Sequence, residues 1–247
     1  MTTKRTAPHR GFTLLEMSIV LVIIGLITGG ILVGQSMIRS SELNSIITDR
    51  GRYVTAMVTF KNKYFALPGD MTNATDFWGT ATSCPTGTGT GTCNGDGDGR
   101  ILFTSWTTSN ESYRAWQQMS LAGLVNGQYS GQPASATTAD VFDPGKNFPK
   151  SRMRGVFVIM YNTAPFTGQQ PKNVLRNYGA SPYVGALGPS DMFEIDNKAD
   201  DGKPGKGAIF TDFSFFPNCV TTNNTQTAEY KITDPTFQEC LLMMDLD

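Results

Sequence analysis

Between Phe12 and Ile38 the chain is apolar, broken by a single acid, Glu16, near the start of the run. From Met17 to Ile38 no residue is charged. At ~1.5 Å per residue, a helix over that stretch is roughly 33 Å long, which matches the hydrocarbon core of a bilayer. The preceding residues, MTTKRTAPHRG, carry Lys4, Arg5 and Arg10 and no acid. A basic flank of this kind stays cytoplasmic and points the rest of the chain outward. A secretory signal has an apolar region of about 7–15 residues followed by a small-residue cleavage site. This run is longer and ends in GGILVGQ. A plain anchor leaves Glu16 without a role, although a carboxylate at bilayer depth costs on the order of 2.5–3.5 kcal/mol on insertion scales. Such a group calls for a partner.

Gly11 followed by Phe-Thr-Leu-Leu-Glu, behind a basic leader and ahead of the apolar run, resembles the type IV prepilin N-terminus shared by type IV pilins and type II secretion pseudopilins. The resemblance implies that a prepilin peptidase cuts between Gly11 and Phe12 and methylates Phe12. Glu16 then becomes the fifth mature residue, placed to pair with the Phe12 ammonium of a neighbouring subunit. Two charges that are each costly in lipid become one compensated pair that helps set register. The implied organisation is a leader at 1–11, a transmembrane and filament-core helix at 12–38 and a periplasmic or extracellular head at 39–247. The implied location is the bacterial inner membrane, then a pilus or a periplasmic pseudopilus. The implied partners are prepilin peptidase, an inner-membrane assembly platform and other filament subunits. Val33 stands where many major pilins carry proline, so major subunit, minor subunit and pseudopilin all remain open.

Beyond the apolar run, Leu43, Ile46, Ile47, Val54, Met57, Val58 and Phe60 recur at helical spacing, with charged residues between them. The helix is expected to continue to about Tyr64, where ALPGD ends it. Residues 65–109 read as loop. A further helix is expected over 111–124, and strands over 154–161 and 207–216, which are rich in β-branched and aromatic residues. A short helix over 190–199 is expected, capped by Ser190. The fold class that follows is α+β: a pilin-like long helix packed on an antiparallel sheet, with a large loop-rich insertion. Neither a solenoid repeat nor a second domain with its own linker is evident.

The four cysteines fall by position into Cys84 with Cys93 and Cys219 with Cys240. In an exported protein two local disulfides are expected, although sequence alone permits three connectivities. The only histidine, His9, lies in the leader. A mature chain without histidine excludes Ser-His-Asp and Cys-His catalysis and histidine zinc sites, and no enzyme is expected. The net charge of −1 offers no electrostatic footing for nucleic acid. The glycines around PTGTGTGT lack the lysine of a phosphate loop. The N-x-S/T triplets at Asn73, Asn110 and Asn223 are read as chance.

The sharpest chemical candidate is NGDGDGRI, 94–101. It matches the first part of a calcium loop, with Asn94, Asp96 and Asp98 as oxygen ligands and Gly99 at the tight turn. The Arg100 carbonyl stands at the seventh position and Ile101 packs inward. Position twelve is Ser105 rather than glutamate, and Glu111 can supply the missing carboxylate. A weaker metal candidate is Asp196, Asp200 and Asp201, which Lys198 and Lys203 can instead neutralise. Major pseudopilins hold calcium in a loop of the head, so calcium is the one cofactor considered.

The expected function is that of a structural filament subunit. The alternatives are a type II secretion pseudopilin and a tip-located minor pilin or adhesin that binds a surface ligand.

Overall fold

The computed structural model describes residues 12–81, 84, 91–135, 137, 140–163, 166–233 and 239–246. The leader, with Gly11, and most of the PTGTGTGT stretch lie outside the described residues. The chain forms two units, one up to Ser41 and one from Glu42 onward. Helix α1 (Leu14–Tyr64) contributes to both.

In the first unit the large apolar side chains from Phe12 to Val33, and again at Met37 and Ile38, are exposed. The mean hydropathy reaches 2.5, and α1 is long and apolar enough to cross a membrane. Its few hydroxyls are turned back onto the helix. Ser18 donates to the Leu15 carbonyl, Thr28 to Ile24 and Ser36 to Val33, each at 2.9 Å. Polar hydrogens satisfied within the helix suit a surface that has no water to bond.

From Glu42 the same helix becomes one-sided. Leu43, Ile46, Tyr53, Ala56, Met57 and Phe60 are buried, whereas Val58, expected inside, is 46% exposed. The Tyr53 ring meets Trp116 edge-on at 4.8 Å and Phe157 at 5.5 Å. This contact ties α1 to helix α3 (Glu111–Leu121) and strand β1 (Val156–Asn162). The helix stops where ALPGD predicts, with Phe65 in the left-handed region at φ 56°.

The sheet is antiparallel. Strand β1 pairs with β2 (Lys172–Tyr178), β2 with β4 (Leu242–Asp245), and β4 with β3 (Ile209–Thr211), giving the order β1-β2-β4-β3. The α+β expectation, a long helix on an antiparallel sheet, matches this architecture.

Several local expectations are corrected. The region read as loop contains a short helix, α2 (Ala74–Trp78). Helix α3 ends at Leu121, closed by the Leu124 N–H bonding to the Met119 carbonyl at 2.9 Å. The strand expected over 207–216 keeps only Ile209–Thr211. There Asp212 turns the chain, its Oδ1 accepting the N–H of Ser214 at 2.9 Å and of Phe215 at 3.3 Å. Helix α4 runs Pro189–Ala199 with Gly188 as its N-cap. Ser190 is therefore inside the helix and not its cap. Proline at the first helical position supplies a suitable φ and lacks only an N–H that would go unbonded there.

Candidate functional site

Three places carry chemistry that the sequence singled out: the start of α1, the acidic loop before α3 and the acidic group around the end of α4. At the first, Thr13 and Glu16 bond reciprocally. The Thr13 N–H donates to Glu16 Oε2 at 2.7 Å and the Thr13 hydroxyl to the same oxygen at 2.9 Å, while the Glu16 N–H donates to Thr13 Oγ1 at 3.2 Å. This is a capping box, in which a hydroxyl residue and a glutamate three positions later satisfy the free N–H groups of the first turn. Within one chain, then, Glu16 already has donors.

The acidic loop is shaped from inside by a residue that sequence reading missed. Asp70, 3% exposed, sits just past the end of α1. Its Oδ1 accepts the N–H of Gly97 at 2.7 Å and of Asp98 at 3.1 Å, and its Oδ2 that of Gly99 at 3.0 Å. Three successive backbone donors thus converge on one carboxylate. Gly97 at φ 76° and Gly99 at φ 82° adopt the left-handed backbone that the two tight turns require. Asp96 Oδ1 accepts the Asp98 N–H at 3.2 Å, and Asp98 Oδ1 the Arg100 N–H at 2.8 Å. The Arg100 guanidinium lies over the Tyr161 ring at 5.0 Å. Ile101 is fully buried, as expected, and Asn173 on β2 clips the loop to the sheet. Its Oδ1 accepts the Ile101 N–H at 2.9 Å and its amide donates to the Gly99 carbonyl at 3.1 Å.

The expected ligands divide. Carboxylate oxygens of Asp70, Asp96 and Asp98 lie within 4.8 Å of one another. Asn94 instead turns its Oδ1 to the Thr75 N–H of α2 at 2.9 Å. Glu111, first residue of α3, accepts the Asp96 N–H at 3.3 Å and the Leu102 N–H at 2.7 Å. It borders a cavity of 610 Å3 beside Cys84 and Cys93 that also reaches Asp96. Burial pushes the Glu111 carboxyl up to about 7 against the pull of those two N–H groups, and the charges of Asp70 and Asp96 add to the rise. Burial is also the main influence on Asp70 and raises it, with Gly99 and Gly97 pulling back and Asp96 pushing up again. Crowded carboxylates with spare lone pairs are the donor set of a hard divalent cation. Asp96 and Asp98 of the expected set, joined by Asp70, fit calcium chemically, whereas Asn94 is turned away.

In the second acidic group, Asp196, Asp200 and Asp201 also lie within 4.8 Å of one another. Asp196, fully buried, accepts the Tyr230 hydroxyl at 2.7 Å and the Gly202 N–H at 3.2 Å. Asp200 Oδ2 accepts the Ile209 N–H at 2.9 Å, and Asp201 the Lys203 N–H at 2.8 Å. Lys198 pairs with Glu194 at 2.6 Å. Burial drives Asp196 up to about 7, opposed by Tyr230 and Gly202 and reinforced by Asp201 and Asp200. Here the carboxylates hold the turn that leads into β3.

The cysteines pair as expected, Cys84 with Cys93 at a Cα separation of 5.7 Å and Cys219 with Cys240 at 5.6 Å. Of the two missed roles, one had a signal in the sequence. Thr-x-x-Glu at the head of an apolar run is a readable cap, whereas Asp70 lies too far from its loop for spacing to join them.

Residues 7–32 match the family of the prokaryotic N-terminal methylation motif, the signature of type IV pilins and pseudopilins. No curated protein matches the chain, and no solved structure matches it.

Proposed function

We propose that this chain is a structural subunit of a type IV pilus-like filament. On this reading it is made as a prepilin, cut between Gly11 and Phe12, methylated on Phe12 and assembled through the apolar part of α1. The reading rests on one observation: the methylation motif at 7–32 runs directly into a helix whose apolar side chains stand unburied from Phe12 onward. Exposed apolar surface of that extent requires lipid or other copies of the same helix. The head stays outside the membrane, and its role is presentation rather than catalysis. The Glu16 carboxylate leaves its capping partner for the Phe12 ammonium of the next subunit. In the head, Asp70, Asp96 and Asp98 hold calcium with Glu111 beside them, and the ion adds positive charge to that of Arg100, whose Nε lies 3.8 Å from Asp98 Oδ2.

Intact-mass analysis of the protein recovered from membranes and from sheared surface fibres tests the proposal. The expected mass lacks residues 1–11, carries one added methyl group and lacks the four hydrogens of two disulfides. A chain that still begins at Met1, or that never enters a fibre, would refute it.

A further inference from the structure

A cavity of 450 Å3 opens beside β1 and β2, and none of the carboxylates of the two acidic groups lines it. Its volume is in the range of small-molecule sites. Its walls are aromatic: Phe103, Trp106, Tyr183 and Phe215. Trp106 is held in place by rings on three sides, with Phe103 at 4.2 Å, Phe142 at 5.3 Å and Tyr178 at 5.2 Å. Tyr183 and Phe215 are 63% and 69% exposed, so two ring surfaces stand in water at the edge of the cavity.

The lining also carries a polar network. Arg176, 6% exposed, donates from Nη2 to Asn162 Oδ1 at 2.6 Å and from Nη1 to Tyr178 Oη at 3.0 Å. Arg176 Nε is buried and has no acceptor among the described residues. Fixing the Asn162 carbonyl on Arg176 leaves its amide hydrogens as donors. Burial raises the Tyr178 hydroxyl well clear of neutral pH, so it keeps its proton. Among the described residues that proton has the Met160 sulfur as its acceptor, at 4.0 Å.

Charge decides the class of ligand. Among the described residues Arg176 is the one charged side chain of the lining, and buried Asp212 stands 3.6 Å from its Nη1. An anion would have to compete with Asp212, and a cation would face the guanidinium. A wholly apolar molecule would bury amide and hydroxyl donors without acceptors, which is costly. A molecule with apolar C–H faces and neutral hydroxyls satisfies both the rings and the donors.

We infer that this cavity is a binding site for a neutral saccharide of mono- or disaccharide size. Tyr183 and Phe215 stack on the ring faces, while Asn162 and Tyr178 donate to its hydroxyls. The site lies within the head and does not depend on filament assembly.

The test uses the mature full chain in phosphatidylcholine nanodiscs, which contain no sugar. Saturation-transfer NMR and calorimetric titration are run with glucose, galactose, N-acetylglucosamine and lactose. Glucuronate and N-acetylneuraminate serve as charged counterparts. At least one neutral sugar is expected to bind. Tyr183→Ala and Phe215→Ala are each expected to weaken that binding about tenfold at unchanged melting temperature, because both side chains project mainly into water. Absence of transfer from every neutral sugar, binding insensitive to both variants, or tighter binding of the acidic sugars would each overturn the inference.

Discussion

Glu16 has two roles on offer, and the structure supplies the means to separate them. Within one chain its carboxylate takes two hydrogen bonds from Thr13, at 2.7 and 2.9 Å, and loss of such a cap costs a helix about 0.5–2 kcal/mol. Between chains, on the proposed function, its charge meets the Phe12 ammonium of a neighbouring subunit. A side chain in a capping box can be Glu or Gln, so Glu16→Gln keeps an acceptor for Thr13 and removes only the charge. Insertion should be unharmed, since a carboxylate at depth costs on the order of 2.5–3.5 kcal/mol. Assembly should suffer, because the ammonium loses its counter-charge. If the lost compensation is of that same size, each subunit added to the fibre is disfavoured on the order of 100-fold. Thr13→Val does the reverse, removing the hydroxyl and keeping the charge. The assay is the ratio of sheared fibre to total membrane-held subunit on immunoblots. The expected order is wild type, then Thr13→Val somewhat reduced, with Glu16→Gln and Glu16→Ala both near zero. If Glu16→Gln assembles as the wild type does while Glu16→Ala does not, Glu16 is a cap and nothing more, and the pairing argument is wrong.

Chelation should lower the melting temperature of the full chain by several degrees and added calcium should restore it, as expected for a ligand at about 100 times its Kd, which contributes about 2.7 kcal/mol; Asp70→Asn should abolish the difference, and a chelator-insensitive wild type would exclude the ion. For Asp196 the folded carboxyl is raised from 3.8 to about 7, so the folded state holds a proton that the unfolded state has already released. Its contribution to stability is complete below about pH 4 and fades as pH rises toward 7. Thermal melts of Asp196→Asn in chelator should therefore gain on the wild type across that window, and parallel pH curves would contradict the assignment. Removing Cys219–Cys240, which spans a sequence separation of 21, should cost about 3 kcal/mol by loop-closure entropy; urea melts of the Cys219→Ala, Cys240→Ala double variant measure it, and a loss under ~1 kcal/mol would show that the bond adds little.

Much of this was readable from residues alone where the signal was local. An apolar run with one acid, a proline–glycine stop after Tyr64 and alternating aspartate and glycine are each read from neighbouring positions. The start of α1, the loop at 94–101 and the break after Tyr64 follow from them. What escaped depends on distant partners. Strand β2, KNVLRNY, carries asparagines and an arginine where alternation expects apolar residues. They are tolerated because the strand buries its polar groups in hydrogen bonds, such as Asn177 to the Val156 carbonyl at 3.2 Å. Strand β4, LMMD, is too short and too rich in methionine to register as a strand. Asp70 becomes part of the acidic site only when packing brings the end of α1 against a loop 27 residues onward. The cap of α4 lies two residues before Ser190, the obvious capping type, because Pro189 takes the first helical position and leaves Gly188 as the cap.

The strand order β1-β2-β4-β3 governs how the head comes together in time. The β2 and β4 partners, such as Leu175 and Met244, are separated by roughly seventy positions of chain, and closing so wide a circuit is slow. Until β4 slides between them, β2 and β3 each expose an open row of amides that any other extended peptide can join. The interval before that insertion is when the head is most exposed to pairing with the wrong strand.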